Sequence, residues 1–219
     1  MSLNNLMPSR EKAENILLWA NEKNPGLWIG HCKATAIAAE TIALKGGLDP
    51  EKAYILGLLH DIGYHGYENG KGTTCHIYFG YDLMMEKGYE TVAKICLTHS
   101  FPAVQDINTY SGFDMYCSND EKAFISSFLL ETIYDDYDKL IQLCDCLGTP
   151  HGITTIEKRN VEGVMRKGFN VNTLKNWTSY FEQKDYFDEK CGINIYNLFY
   201  DEIKSSIFGS QVFSSVTTP

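Results

Sequence analysis

The sequence predicts an all-α protein built around one core. Apolar residues recur three and four apart through most of the 219-residue chain, and sustained period-two alternation is nearly absent. Composition agrees. With 44% hydrophobic residues, 13% aromatic ones and only 6 prolines, the chain is neither disordered nor collagen-like. A chain of this length can remove roughly 70% of its unfolded surface from water, so a single domain over 1–219 is expected.

The first helix is predicted over 9–24, with Ser9 as its N-cap and Pro25-Gly26 as its stop. A second covers 28–45 and ends at Gly46-Gly47. Pro50, suited to a first helical position, opens the third, which reaches 60–62 before Gly63. Residues 63–74, with glycines at 63, 66, 70 and 72, read as a loop. Further helices are predicted over 75–87, 90–99, 120–135, 136–147, 155–167, 172–190 and 194–208, followed by a Ser/Thr-rich tail. Between them, 100–119 carries Pro102 and Gly112 and is the longest non-helical stretch. The Tyr and Phe residues between 177 and 213 repeat at helical spacing and read as packed core, not as a platform for stacked bases.

Charge narrows the partners. The 28 acidic and 19 basic residues give a net charge of -9, the wrong sign for a protein that neutralises a nucleic-acid polymer, so a small ligand is expected. Seven cysteines with no Cys-x-x-Cys pair suggest neither a disulfide framework nor a zinc knuckle, and are expected as reduced thiols. The first residues contain no apolar core of signal-peptide length, and no apolar stretch approaches ~20 residues. A soluble, cytoplasmic protein without a membrane partner is the expectation.

The chemistry is carried by histidines and aspartates on the inner faces of successive helices. His31 lies on the stripe Trp28, His31, Thr35, Ala38, Ile42, whose steps of three and four point it inward. His60 and Asp61 stand side by side at the end of the apolar run Ile55, Leu56, Leu58, Leu59, where burying both is costly unless something pairs with them. A metal ion is an efficient partner, accepting nitrogen from neutral imidazole and oxygen from carboxylate. Asp145 supplies a second carboxylate, and His76 and His99, on two further helices, complete the set. Four nitrogens and two carboxylates exceed what one ion needs. Cys144 and Cys146 flank Asp145 but point about 100° to either side of it, so they read as core thiols. A lone buried histidine is more often a hydrogen-bonded core residue than a ligand; the adjacent pair is what lifts this set above that reading.

In this order, His31, His60-Asp61 and Asp145 resemble the H…HD…D signature of the HD superfamily of metal-dependent phosphohydrolases. The string LLHDIG at 58–63 looks like the central motif of its HDIG-type members, and the step from His76 to Gly80 is similar to their H-x-x-x-G. The resemblance spans about 29–147 and implies a helical bundle of the HD type, with the C-terminal helices of 155–208 packed on it. It implies one ion held by His31, His60, Asp61 and Asp145, with Asp61 bridging to a second held with His76 and His99. The ions would be iron, manganese, zinc, nickel or magnesium. Many HDIG proteins place a lysine after the glycine, and here Tyr64 stands there.

The expected reaction is hydrolysis of a phosphate ester or anhydride of a small, nucleotide-like substrate by metal-activated water. Asp61 is expected to orient that water, and His65 is the candidate general acid. Lys71, in Gly70-Lys71-Gly72, and Arg159 are candidate phosphate contacts. Two other functions suit the same ligands: a di-iron oxygenase on this fold, and a regulatory module whose metal is structural. Nothing in the sequence selects an oligomeric state.

Overall fold

The protein is described by a computed structural model that covers residues 7–66, 75–102 and 117–209. Ten α-helices run through these residues: α1 (Arg10–Lys23), α2 (Trp28–Gly46), α3 (Pro50–Leu59), α4 (His76–Glu86), α5 (Glu90–Thr98), α6 (Asn119–Glu131), α7 (Asp136–Leu147), α8 (Ile156–Lys167), α9 (Thr173–Cys191) and α10 (Tyr200–Phe208). The all-α expectation therefore holds. No helix among the described residues is long and apolar enough to cross a membrane.

Local chemistry sets the helix ends. The Ser9 hydroxyl accepts from the Lys12 amide at 3.3 Å, and Asp49 accepts from Lys52 at 3.1 Å with Pro50 in the first turn. The predicted helix over 120–135 stops earlier, at Glu131. Its expected end is taken by Asp135, whose extended backbone and carboxylate, accepting from Tyr137 and Asp138, start α7 instead. The predicted 194–208 helix divides into a 3-10 turn, Ile195–Phe199, and α10. The start of the predicted loop is a 3-10 turn, Ile62–Gly66; residues 67–74, with Lys71, lie outside the described residues, as does most of 100–119.

The core gathers α1, α2, α3, α5, α7 and α9, with Ala36, Ile42, Leu56, Leu58, Leu59, Ile141 and Phe187 all at 0% exposure. Truncating any of the larger of these to alanine costs about 2–5 kcal/mol. The aromatic run of the C-terminal helices joins it through Tyr180, Phe181, Tyr186, Phe187, Tyr196 and Phe199. A second apolar cluster, Ile77, Leu97, Phe101, Ile125 and Leu129, seats α6 against α4 and α5.

That cluster includes a correction. Cys75 and Cys117 form a disulfide, while the other five cysteines are free and buried. The bridge joins residues 42 apart with no spacing signature, and it removes the support that cysteine usage lent to a reducing compartment.

A two-residue hairpin between α7 and α8, β1 (Gly148–Thr149) with β2 (Gly152–Ile153), was also not predicted, being too short to show alternation. It lies against α2 because Gly148 has no side chain: a Cβ there would stand 2.5 Å from the Thr35 hydroxyl. The motif glycines work the same way. A Cβ on Gly63 would meet the His76 carbonyl oxygen at 1.8 Å, and one on Gly80 would meet the Gly63 nitrogen at 3.1 Å. Only two bare backbones let the turn after Asp61 touch the start of α4, which brings His76 to Asp61.

Candidate metal centre

Five elements converge on one point. His31 comes from α2, His60 and Asp61 from the end of α3, His76 from the first residue of α4, His99 from the end of α5 and Asp145 from α7. All six sequence-predicted ligands meet there. The His31 and His60 Nε2 atoms are 3.2 Å apart, and His31 Nε2 lies 2.9 Å from Asp145 Oδ1. The two oxygens of Asp61 face different pairs. Oδ2 lies 3.7 Å from His31 Nε2 and 3.6 Å from His60 Nε2, whereas Oδ1 lies 3.5 Å from His76 Nε2 and 3.3 Å from His99 Nε2. Three-residue groups within this set have all their donor atoms within 4.8 Å of one another.

Backbone carbonyls orient the rings. Nδ1 of His31 points to Gly148 O at 3.1 Å, that of His60 to Gly57 O at 2.8 Å, and that of His99 to Ile95 O at 3.1 Å. A carbonyl only accepts, so each Nδ1 carries a proton, and in the neutral ring this leaves the Nε2 lone pair facing the centre, the tautomer a ligand needs. His76 is oriented differently: the Tyr64 ring stacks on it at 4.5 Å with planes 12° apart. His99 is also placed through its backbone, since Gln142 Nε2 donates to the Thr98 carbonyl at 2.9 Å and the Thr98 hydroxyl donates to Asp138 at 2.8 Å.

Electrostatics call for a cation. Burial penalises the charge on both Asp61 and Asp145, yet the surrounding imidazoles outweigh it and hold each carboxyl below its ordinary range. Burial likewise works against a charged His60, but Asp61 and Asp145 overcome it and raise the imidazolium to about 9. His76, where burial prevails over Asp61, is pushed down to about 4. The protonated His60 is thus the countercharge of the metal-free site. Two buried carboxylates and four converging imidazole nitrogens suit one or two divalent ions. Cys144 and Cys146 are buried free thiols whose burial pushes them above the ordinary thiol range, so neither offers a thiolate.

A cavity of about 360 Å³ opens over the cluster. Its wall includes Tyr64, Ser100, Arg159 and two residues that sequence reasoning missed, Arg166 and Lys167. Arg159 and Arg166 stand seven residues apart on α8, two turns along one face. Among the described residues none of these three cations forms an ion pair. His65 is elsewhere. It lies between Trp19 and Phe79, with ring centroids 5.0 and 4.9 Å away, and its Nδ1 faces Ile62 O. Burial lowers its pKa, which disfavours the protonated form a general acid requires. His65 is not among the residues that line the cavity over the cluster. A larger cavity of about 1000 Å³, between the hairpin, α8 and α10, touches none of the six candidate ligands.

The HD domain family model matches residues 28–149, more than half of the chain. The chain belongs to the HD domain family. It is thereby a member of a superfamily of metal-dependent hydrolases, and all six candidate ligands fall inside the matched segment. Arg159, Arg166 and Lys167 fall outside it. No curated protein and no solved structure matches the chain.

Proposed function

We propose that this HD-domain protein is a metal-dependent phosphohydrolase that cleaves a phosphate ester or anhydride of a small, nucleotide-like substrate. The observation that carries the reading is the division of Asp61: one carboxylate oxygen faces the His31–His60 pair and the other the His76–His99 pair. His31, His60, Asp61 and Asp145 would hold one divalent ion, and Asp61, His76 and His99 a second. Paired ions supply a hydroxide nucleophile at neutral pH and draw charge from phosphoryl oxygens.

The chain's own groups complete the work. Asp61, between the two imidazole pairs, would orient a water in the centre. Asp145, 23% exposed at its side chain where Asp61 is 11%, is the more open of the two carboxylates that line the cavity. Arg159, Arg166 and Lys167 bind the phosphoryl oxygens; a guanidinium suits two of them at once. Tyr64 occupies the wall where many HDIG proteins carry lysine, so the positive charge here comes from α8.

The test is a panel of phosphorylated metabolites assayed for phosphate release under anaerobic conditions, with the protein reloaded in turn with manganese, iron, nickel, zinc and magnesium. Phosphate release without oxygen is expected with at least one redox-inert ion. Turnover that consumes oxygen, or none with any ion and compound, would refute the proposal.

A further inference from the structure

The turn between α8 and α9 differs in charge from the rest of the chain. Acidic residues number 28 among 219, yet residues 163–181 contain none, and they carry Arg166, Lys167 and Lys175. The same turn holds apolar groups in water. Met165 is 82% exposed, Phe169 64%, Val171 82% and Leu174 65%, and every residue from 165 to 171 is exposed. A single exposed apolar side chain is ordinary, but four within ten residues form a patch, and patches mark contact surfaces.

The backbone of this turn is largely bonded to itself. The amides of Gly168, Asn170, Asn172 and Thr173 donate to Val164 O at 2.8 Å, Thr173 Oγ1 at 2.9 Å, Asn170 Oδ1 at 2.8 Å and Asn170 O at 3.2 Å. Donors already paired do not resist transfer from water to a less polar layer. The Phe169 ring is braced by Trp177, with centroids 5.8 Å apart. At one edge Met165 and Arg166 share the large cavity with Glu162, Asp201 and Glu202, which centres the contact surface on Phe169, Val171 and Leu174.

We propose that the α8–α9 turn docks the protein on an anionic lipid bilayer, with Phe169, Val171 and Leu174 entering the headgroup layer and Lys167 and Lys175 drawn to the acidic headgroups. Apolar area and cations together set the strength of such binding. An exposed apolar turn enters a fluid surface without the matching pocket that a folded partner must supply. Attraction to acidic headgroups reaches roughly 8 Å at physiological salt, so the cations of the turn outweigh the chain's net charge of -9. The whole-chain composition that suggested no membrane partner averages this turn away. Docking needs no spanning helix, and none lies among the described residues. Arg166 and Lys167 also line the metal cavity, so docking sets the mouth of that cavity near the bilayer surface. The proposal does not depend on the phosphohydrolase reading.

The test mixes the full chain with vesicles of pure phosphatidylcholine or of equal parts phosphatidylcholine and phosphatidylserine, and measures bound protein by flotation. Binding to the mixed vesicles is expected, with less to the neutral ones and less as salt rises. Val171→Ser and Leu174→Ser should each weaken it about tenfold, the scale of one apolar side chain returned to water. Lys175→Ala should weaken it about fivefold. All three positions are exposed, so the melting temperature should not change. A polarity-sensitive dye on Val171→Cys should shift to the blue on the mixed vesicles, while the same dye on Leu130→Cys, exposed on α6, should not; the five free native thiols are buried. Failure to bind the mixed vesicles, equal binding to both kinds, variants that bind as the wild type does, or equal dye shifts at 130 and 171 would each overturn the proposal. Capture by polyglutamate with none by vesicles would overturn it too, and would assign the turn to an acidic protein.

Discussion

The floor and the wall of the site are built on opposite principles. The floor is six buried or nearly buried groups, three of its imidazoles fixed by backbone carbonyls, all from elements that also form the core. The wall is α8, whose Arg166 and Lys167 are exposed and whose three cations are held by no acidic partner among the described residues. Fixed donors suit an ion that tolerates little displacement. Loosely held cations suit an anion that must arrive and leave. The floor should therefore govern metal content and the wall substrate affinity.

The change that would break this contrast most severely is Asp61→Ala. Since each oxygen serves a different imidazole pair, both ions should be lost, metal content measured by mass spectrometry should approach zero, and turnover should fall to background. Retention of one full ion would show that Asp61 does not bridge.

A pH prediction follows from His60. In the metal-free protein its pKa is raised to about 9 from an ordinary 6.5, so its protonated form contributes stability that is complete below the lower value and lost as pH rises through about 9. A metal needs the neutral imidazole, so uptake releases a proton and affinity climbs over the same window. The melting-temperature gap between metal-loaded and metal-free protein should widen from pH 6.5 to 9. A constant gap would mean that His60 is not a ligand.

Arg166→Ala and Arg159→Ala probe the wall. Each should raise KM roughly tenfold, the scale of a charge-assisted hydrogen bond, and leave metal content unchanged. Loss of metal in either variant would merge wall and floor. The smallest effect belongs to His65→Asn, which should keep kcat within about twofold and cost about 1 kcal/mol of stability through its bond to Ile62. A large fall in kcat would return His65 to the chemistry.

The same contrast explains what the sequence made legible. His31, His60 and Asp61 stood out because polar groups on apolar helical faces are anomalous. Arg166 and Lys167 gave no such signal: on an amphipathic helix they look like any solvated stripe, and only the fold turns that stripe toward Asp145. The Cys75–Cys117 bridge joins distant segments that no spacing connects, and the ring neighbours of His65, Trp19 and Phe79, come from other helices. Fold class was the easiest inference, because helical periodicity is local.

Gln183 on α9 donates to Gln142 at 2.7 Å, and Gln142 donates in turn to the carbonyl beside His99. A strut thus runs from the C-terminal third of the chain into the metal floor. The segment that the family model recognises is consequently not a separable engine: shortened to 28–149, it would leave the Gln142 oxygen unanswered and His99 less firmly anchored, as well as stripping away every α8 cation.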